Sequence, residues 1–295
     1  MAITVGFVSE KGGVGKTTAC YHIAVGLKLY QQKRVLVVDT DYQRGGISCR
    51  FIPRMIEHFR GGQLPGTTLF DKFQQLYSGT AMTPDVDIME SPEKVDLMPA
   101  DPRLSQVSVD KLPASNNIRE NTRRLWGHLR VLQTVLEQLQ DEYDYILVDS
   151  HPELSDLMRT VVYACDFCVS PVKLDQQSTI GVPSAIQAIN EVNEDMEMIG
   201  QALGTTEGYT PTVFKGAMGM MCREWGEQLK QSEMRQYRRL ARVCGVFESY
   251  ITEGDGLRLA AEQRSAVYGI TGANAERQAE QFRAMTREFI QRCTS

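Results

Sequence analysis

A glycine-rich loop near the start of the chain carries residues with a well-defined chemistry. Residues 10–18 read Glu-Lys-Gly-Gly-Val-Gly-Lys-Thr-Thr, after a short apolar run and before a helix-length segment. Glycines let successive backbone N–H groups curl around an anion, and the following helix points its N-terminus at the same anion. In this order Lys16 is placed to reach the β- and γ-phosphates of a nucleotide, and the Thr17 hydroxyl to bind Mg²⁺. The loop therefore predicts a nucleoside triphosphate site; the alternative is a glycine-rich turn that binds nothing.

Carboxylates stand at the ends of two predicted strands. Asp39 closes the apolar run 34–39 and is followed by Asp41, whereas Asp149 closes the run 145–149. Carboxyl ends of parallel strands face the ligand crevice of an open α/β sheet. The second run has the Walker B pattern, in which the aspartate reaches Mg²⁺ through water. A turn with acidic caps is the alternative for Asp39 and Asp41.

Short apolar runs alternate with helix-length segments along most of the chain. This pattern predicts a single-domain α/β fold over residues 1–295, with a mostly parallel twisted sheet and helices on both faces. An irregular excursion is expected at about 50–120, and a basic helical segment at about 222–245. The predicted strands are 4–9, 34–39, 95–99, 145–149, 167–172 and 213–221, and the predicted helices are 17–30, 119–140, 153–164, 178–193 and 224–243.

Composition limits the classes of partner and the cellular compartment that this protein could have. The 295 residues carry a formal charge of −5, which excludes a uniformly basic, nucleic-acid-coating surface but allows a local basic face. Seven cysteines, an odd number, together with an N-terminus that does not read as a secretory leader, favour a reducing compartment. No apolar run approaches the length needed to cross a bilayer. We therefore expect a cytoplasmic protein.

The loop departs from the ordinary Walker A pattern, because Glu10 stands where the first glycine would be and Lys11 is added. This K-G-G-x-G-K-T form resembles the deviant Walker A motif of the ParA/MinD family of ATPases, which are P-loop NTPases. The resemblance implies that Lys11 reaches across a dimer interface to the partner's nucleotide, and that the ATP-bound state is a sandwich dimer. Lys11 and Lys16 are then the catalytic cations. The nucleotide-binding residues of this loop are Lys11, Gly12, Gly13, Val14, Gly15, Lys16, Thr17 and Thr18.

Residues 39–46 resemble the D-x-D-P-Q-G-N motif of the same family. They match it at Asp39, Asp41, Gln43 and Gly45, whereas Tyr42 replaces the proline. By this resemblance Asp41 positions or activates the attacking water. The resemblance also places Thr17, Asp39 and Asp149 around Mg²⁺, and Gln43 and Pro171 beside the nucleotide.

One residue after the second strand also departs from the family. His151 stands where the family has a proline, between Asp149 and Pro152. Since Asp41 already supplies the family's catalytic carboxylate, the histidine is interpreted as a variable loop residue rather than a base.

A cationic stripe is predicted on the helix 224–243. Its members are Lys230, Arg235, Arg238, Arg239 and Arg242, and the four arginines follow helical i, i+3, i+4, i+7 spacing. Residues 215–245 hold seven basic and three acidic side chains, in an otherwise acidic protein. A one-sided stripe suits binding to a phosphate backbone, and ParA-like proteins bind non-specific DNA as ATP dimers. The alternative is a solvated face, with Glu227 and Glu233 as partners.

Two further features bear on other functional classes. Cys165 and Cys168 form a C-x-x-C, as an iron–sulfur reductase of the nitrogenase iron protein type would need. They straddle the start of a strand, where neighbouring side chains alternate between faces, so apolar core cysteines are favoured. The amphipathic helix 274–293 could hold a membrane in a MinD-like regulator. Its polar face is mixed in charge, and docking on the sheet is the preferred interpretation.

The residues and the resemblance together predict a ParA-like ATPase that partitions or positions DNA or protein cargo. Its cofactors are ATP and Mg²⁺, and hydrolysis to ADP and phosphate is expected to be slow until stimulated. The expected partners are a second copy of the chain, non-specific DNA, and a ParB-like or other adaptor that triggers release; no membrane partner is expected. Plasmid partition and chromosome segregation are the implied processes, with nucleoid association.

Overall fold

The computed structural model describes residues 1–272 and 274–294, and an eight-stranded sheet organises them. The order across this sheet is β10-β7-β6-β1-β5-β2-β4-β3, and a separate hairpin pairs β8 with β9. The strands are β1 (Ile3–Phe7), β2 (Val35–Asp39), β3 (Met89–Glu90), β4 (Asp96–Met98), β5 (Tyr145–Asp149), β6 (Phe167–Val172), β7 (Val213–Cys222), β8 (Glu224–Trp225), β9 (Gln228–Leu229) and β10 (Val246–Thr252).

All neighbours in the large sheet are parallel except β3 and β4. Parallel strands need crossover connections, and helices supply most of them here. The helices are α1 (Lys16–Gln31), α2 (Ile47–Phe51), α3 (Met55–Gly61), α4 (Leu69–Ser78), α5 (Ile118–Glu137), α6 (Asp156–Ala164), α7 (Gln176–Thr179), α8 (Gly181–Leu203), α9 (Gln231–Leu240), α10 (Asp255–Glu262) and α11 (Ala275–Cys293). The predicted α/β fold with a mostly parallel sheet is confirmed.

Alternate residues of the central strands enter two different cores. Val35 and Val37 of β2 join the core that holds α1 and α11, whereas Leu36 and Val38 join the core that holds α5 and α6. Successive side chains of a strand point to opposite faces, so helices cover both sides of the sheet. This double burial is why these strands read as continuous apolar runs.

The prediction for residues 224–243 is wrong in its first half. In place of one long helix within a basic helical segment at 222–245, the chain forms the β8–β9 hairpin and then the shorter helix α9. Gly226 and Glu227 both have positive φ angles, 52° and 60°, which a helix does not accommodate. Strand β10 was not predicted either, and helix 178–193 is divided at Ile180 and continues to Leu203. The excursion at 50–120 contains short helices and β3–β4.

The last helix docks on the sheet, as expected. Phe282 and Phe289 of α11 are fully buried. The Phe289 ring lies 6.0 Å from Phe7 and 6.2 Å from Tyr145. The apolar face of α11 is therefore covered by the protein's own core. Among the described residues, no helix combines the length and apolar character that a membrane span requires.

The two cysteines of the C-x-x-C motif are buried, but not on opposite faces. Both sulfurs approach the same spot, since a Cβ built on Gly6 would lie 3.1 Å from Cys168 Sγ and 3.2 Å from Cys165 Sγ. Cys165 caps α6 before β6 begins, so strand alternation does not apply to it. Burial raises the pKa of the Cys165 thiol well above its ordinary value. The expectation of core cysteines holds, although the alternation argument for it was wrong.

One histidine is sealed between α4 and α5. His128 is fully buried, and its ring lies 5.2 Å from Phe73 and 6.0 Å from Tyr77. Neither ring nitrogen has a hydrogen-bond partner within the described part of the chain. Burial lowers the pKa of His128 to about 4, so the folded protein holds it neutral.

We expect this histidine to make folding pH-dependent. Its pKa is lower in the folded chain than in the unfolded chain, so its contribution is complete above pH 6.5 and falls away as the pH drops. From pH 7 to pH 4 the loss is about 3 kcal/mol. Urea unfolding of wild type and His128→Leu at both pH values measures it. The difference in free energy of unfolding, variant minus wild type, should be larger at pH 4 than at pH 7 by this amount. The same difference at both pH values would refute the assignment.

Candidate active site

Three central strands deliver the predicted chemistry to one edge of the sheet. In the parallel register Phe7 pairs with Asp149 and Asp39 also pairs with Asp149, so the ends of β1, β2 and β5 are level. The glycine-rich loop leaves β1 at this edge and enters α1 at Lys16. The loop and both strand-end carboxylates therefore meet at one place, as the sequence predicts.

The loop needs glycine at two of its positions. Gly13 and Gly15 have φ angles of 72° and 93°, in the left-handed region that favours glycine. A Cβ on Gly15 would also lie 3.2 Å from Cβ of Met220. Gly15 immediately precedes the first helical residue of α1, so this tight turn aims the free N–H groups of the helix into the cleft.

Lys16 and Thr17 both reach the end of β5. The Lys16 amine lies 3.4 Å from Asp149 Oδ1 and donates to the carbonyl oxygen of Ser150. The Thr17 hydroxyl donates to Asp149 Oδ2 at 2.8 Å. Lys16 and Asp149 are almost wholly buried. Burial raises the pKa of Asp149, while the charge of Lys16 and the Thr17 hydrogen bond act in the opposite direction.

Asp39 is held from the side of α2. The Ser48 hydroxyl and backbone N–H donate to Asp39 Oδ2 at 2.5 and 2.9 Å, and the Asp41 backbone N–H donates to Oδ1 at 2.9 Å. Burial and, next, the charge of Asp149 raise the pKa of Asp39 to about 7. A cation beside this pair of carboxylates would relieve their mutual repulsion.

The donor set fits Mg²⁺ bound together with phosphate. Thr17 supplies a hydroxyl oxygen, and Asp149 and Asp39 supply carboxylates near it. Within residues 1–272 and 274–294, no group of three or more His, Cys, Asp or Glu side chains is arranged to hold a metal by itself. Mg²⁺ is ordinarily held by one or two carboxylates, with water and substrate phosphates completing the shell.

Asp41 is fixed by a residue that the sequence interpretation set aside. Its Oδ1 accepts from the backbone N–H of Gln43 at 3.0 Å and lies 2.9 Å from Nδ1 of His151. The His151 ring is 1% exposed and stacks on Tyr42, with ring centroids 4.0 Å apart. The only signal in the sequence was that positions 42 and 151 both lack the family's proline.

A cleft of about 340 Å³ opens over these groups. The cleft is lined by Lys11, Gly12, Gly13, Gly15, Lys16, Thr17, Thr18, Asp41, Gln43, Pro152 and Met221. Most of the predicted nucleotide-binding set is therefore brought together. Two predicted residues are not among the lining residues. Val14 is buried within the loop, and Pro171 lies in β6, where it pairs with Met218. Pro152 and Met221 were not predicted as site residues.

The second loop lysine differs from the first in its surroundings. Lys11 is exposed at the cleft, and its backbone N–H and carbonyl form hydrogen bonds with the Ser9 hydroxyl. Its amine forms no ion pair with a carboxylate of the described residues. Lys16 faces its own Asp149, whereas Lys11 can extend outwards.

The predicted cationic stripe lies at the protein surface. Arg235, Arg238 and Arg239 are exposed on α9, and Arg242 is exposed in the turn that follows the helix. Lys230 is exposed at the residue before α9. Glu233, which could have neutralised the stripe, is instead buried and accepts from Arg223 Nε at 2.7 Å. Among the described residues, neither Glu227 nor Glu233 forms an ion pair with a member of the stripe.

Comparisons with known proteins agree with this geometry. Residues 2–199 match the model of a family described as "AAA domain". A ParA family protein of Chlamydia pneumoniae is 27% identical over 203 residues, which are 68% of this chain and 71% of that protein. The chromosome-partitioning ATPase Soj of Treponema pallidum is 27% identical over 199 residues, 66% of this chain and 67% of that protein. The structure of an ATP complex of Cyanothece McdA superposes with a TM-score of 0.69 at 17% identity, covering 98% of this chain and 96% of that one.

Two glycines of the loop provide a matched test of its geometry. Gly15→Ala places a side chain at a positive φ and against Met220, and we expect a loss of about 1–3 kcal/mol in the free energy of unfolding. A Cβ at position 12 meets no atom of residues 1–272 and 274–294 within 4 Å, so Gly12→Ala should unfold like wild type. Urea unfolding without nucleotide measures both. Equal stability of the two variants would show that the loop does not need glycine at position 15.

Proposed function

This chain belongs to the AAA-domain family and is an ATPase of the ParA/MinD type, and on that premise we propose that it positions DNA or protein cargo. The resemblance in residues 11–17 and the expectation of an ATPase are thereby confirmed. Cargo positioning is the proposal. The observation that carries it is that a loop lysine, a magnesium-type donor set and the Asp41 carboxylate lie together at one cleft, while a cationic surface elsewhere on the chain forms no ion pair within the described residues.

ATP and Mg²⁺ are the ligands that we propose for the cleft. The phosphates would replace Asp149 and the Ser150 carbonyl as partners of Lys16. They would also accept hydrogen bonds from the backbone N–H groups of the loop. Mg²⁺ would lie beside Thr17, Asp149 and Asp39, where it would offset phosphate charge. The related McdA structure is described as an ATP complex.

Asp41 is the residue that we propose to act on water. Hydrolysis adds a water across the terminal P–O bond of ATP and yields ADP and phosphate. Asp41 lines the cleft beyond the phosphate loop. Its Oδ1 contacts Gln43 and His151, whereas its Oδ2 has no hydrogen-bond partner among the described residues and would accept from that water. Lys16 stabilises the charge that develops on the γ-phosphate.

Lys11 supports an ATP-dependent sandwich dimer. It is exposed beside the cleft, where its amine could reach a nucleotide held by a second copy. Exposed apolar side chains lie on neighbouring loops, with Ile180 60% and Leu154 51% accessible. Gly181 lies beside Glu10 of the phosphate loop, so Ile180 is at the same edge of the sheet. A cation supplied in trans would act as an arginine finger does and would couple ATP to association.

Non-specific DNA is the partner that we propose for the cationic stripe. Arginine and lysine side chains that contact phosphates give binding without sequence preference. A dimer would present two stripes, so we expect a chain whose net charge is −5 to bind DNA only when ATP brings two copies together. A ParB-like or other adaptor would then raise a slow hydrolysis rate and release the dimer, and the protein would associate with the nucleoid.

The other functions considered for this chain have weaker support. A MinD-like membrane helix would have to expose the apolar face of α11, which is packed on β1 and β5. An iron–sulfur reductase would need accessible thiolates, whereas Cys165 and Cys168 are buried beneath Gly6.

The DNA proposal is tested by a charge-matched pair of triple variants. Arg235→Ala/Arg238→Ala/Arg239→Ala removes the three arginines of the stripe that lie on α9. Arg54→Ala/Arg60→Ala/Arg123→Ala removes three exposed arginines, one just before α3, one in α3 and one in α5. Binding to a labelled random duplex is measured with ATP–Mg²⁺ and with ADP across a salt series.

We expect wild type and the control triple to bind DNA with ATP only. The slope of log K against log salt should become shallower by about 0.9 for each phosphate contact that the stripe triple loses. DNA binding that is absent in wild type, insensitive to ATP, or equally weakened in both triples would reject the proposal.

A further inference from the structure

Two ring side chains from separate segments contact each other at the site. Tyr42 and His151 are 109 residues apart in the sequence, yet their rings stack with centroids 4.0 Å apart and an interplanar angle of 21°. Tyr42 follows β2 and His151 follows β5, so the stacked pair joins the segments that leave these two strands.

The ring orientation defines what His151 can do. Nδ1 lies 2.9 Å from Asp41 Oδ1, so His151 donates a hydrogen bond to this oxygen in the tautomer that carries the proton on Nδ1. The ring is 1% exposed, and stacking on Tyr42 prevents it from turning away. A carboxylate that receives hydrogen bonds on Oδ1 from both His151 and Gln43 is fixed in rotation, with Oδ2 directed elsewhere.

We propose that His151, backed by Tyr42, is a positioning residue that fixes the Asp41 carboxylate for attack of water on ATP. The arrangement matches the carboxylate–imidazole pairs that orient catalytic groups in other enzymes, with the roles of orienting and oriented group exchanged. This inference rests on the proposed role of Asp41 and adds a residue to it.

Packing alone does not account for a histidine at this position. Nε2 of His151 has no hydrogen-bond partner in the described part of the chain, and the nearest carboxylate, Glu153 Oε2, lies 3.6 Å away. A buried polar atom without a hydrogen-bond partner destabilises the folded protein, because the loss of its contacts with water is not compensated. An apolar ring would stack on Tyr42 without this cost, so the feature that requires histidine is its bond to Asp41.

Substitution by asparagine or glutamine tests which ring nitrogen of His151 matters, because each amide nitrogen mimics the position of one of them. The amide nitrogen of asparagine is two bonds from Cβ, as Nδ1 is, whereas that of glutamine is three bonds away, as Nε2 is. His151→Asn can therefore donate to Asp41, and His151→Gln cannot from the same position. Single-turnover hydrolysis of ATP by excess protein gives the rate, direct ATP–Mg²⁺ titration gives the affinity, and thermal unfolding reports stability.

We expect His151→Ala and His151→Gln to hydrolyse ATP about tenfold or more slowly than wild type, with unchanged ATP affinity. His151→Asn should recover most of the rate. A rate that falls equally in the Asn and Gln variants, or that does not fall in any variant, would overturn the inference. Because Asn and Gln are both polar and similar in size, this comparison stands even if His151→Ala does not fold.

Asp41→Ala distinguishes the inference about His151 from the proposal that Asp41 acts on water. That variant should lose about a hundredfold or more in rate. If Asp41→Ala hydrolyses ATP normally, the proposed role of Asp41 fails. If Asp41→Ala is inactive while the three His151 variants match wild type, only the inference about His151 fails. His58→Ala, remote from the cleft and partly exposed on α3, should hydrolyse ATP like wild type and serves as the histidine control.

Discussion

The site depends on the parallel register that places Asp39 and Asp149 side by side at the ends of β2 and β5. Burial raises the pKa of both carboxyl groups, and a neighbouring carboxylate adds to this, Asp149 in the case of Asp39 and Asp41 in the case of Asp149. The structure offsets this with fixed donors, namely Lys16 and Thr17 on one side and Ser48 on the other. An edge that concentrates negative charge beneath a loop of N–H donors is suited to a divalent cation and a polyphosphate together.

The remaining parts of the fold connect to this edge through a few contacts. His22 of α1 accepts from the Val267 backbone N–H through Nε2, and its ring stacks on Phe282 at 4.4 Å, which ties the helix of the phosphate loop to the C-terminal region. Ser48 accepts from the Ala100 backbone N–H, so the shell of Asp39 is joined to the segment after β4. A displacement of α1 would therefore move the C-terminal region, and a displacement of Asp39 would move the segment after β4, because packed cores transmit strain.

Sequence reasoning was accurate where one local pattern determines the outcome. Glycine spacing predicted the loop, and continuous apolar runs predicted β5 and β6 to the residue. It was inaccurate where distant residues decide. The hairpin at 224–229 depends on positive φ angles in its turn. Strand β10 forms by pairing in parallel with β7, which is distant in sequence. The contact between His151 and Asp41 joins residues 110 apart and could not be predicted from either motif alone.

The central claim is that this edge of the sheet binds ATP with Mg²⁺ through Lys16. Isothermal titration of the wild-type chain with ATP, in the presence and absence of Mg²⁺, tests it most directly, with Lys16→Ala as the comparison. The account predicts one ATP bound per chain, tighter binding when Mg²⁺ is present, and no measurable binding by Lys16→Ala. Absence of binding by wild type, or equal binding by wild type and Lys16→Ala, would contradict it.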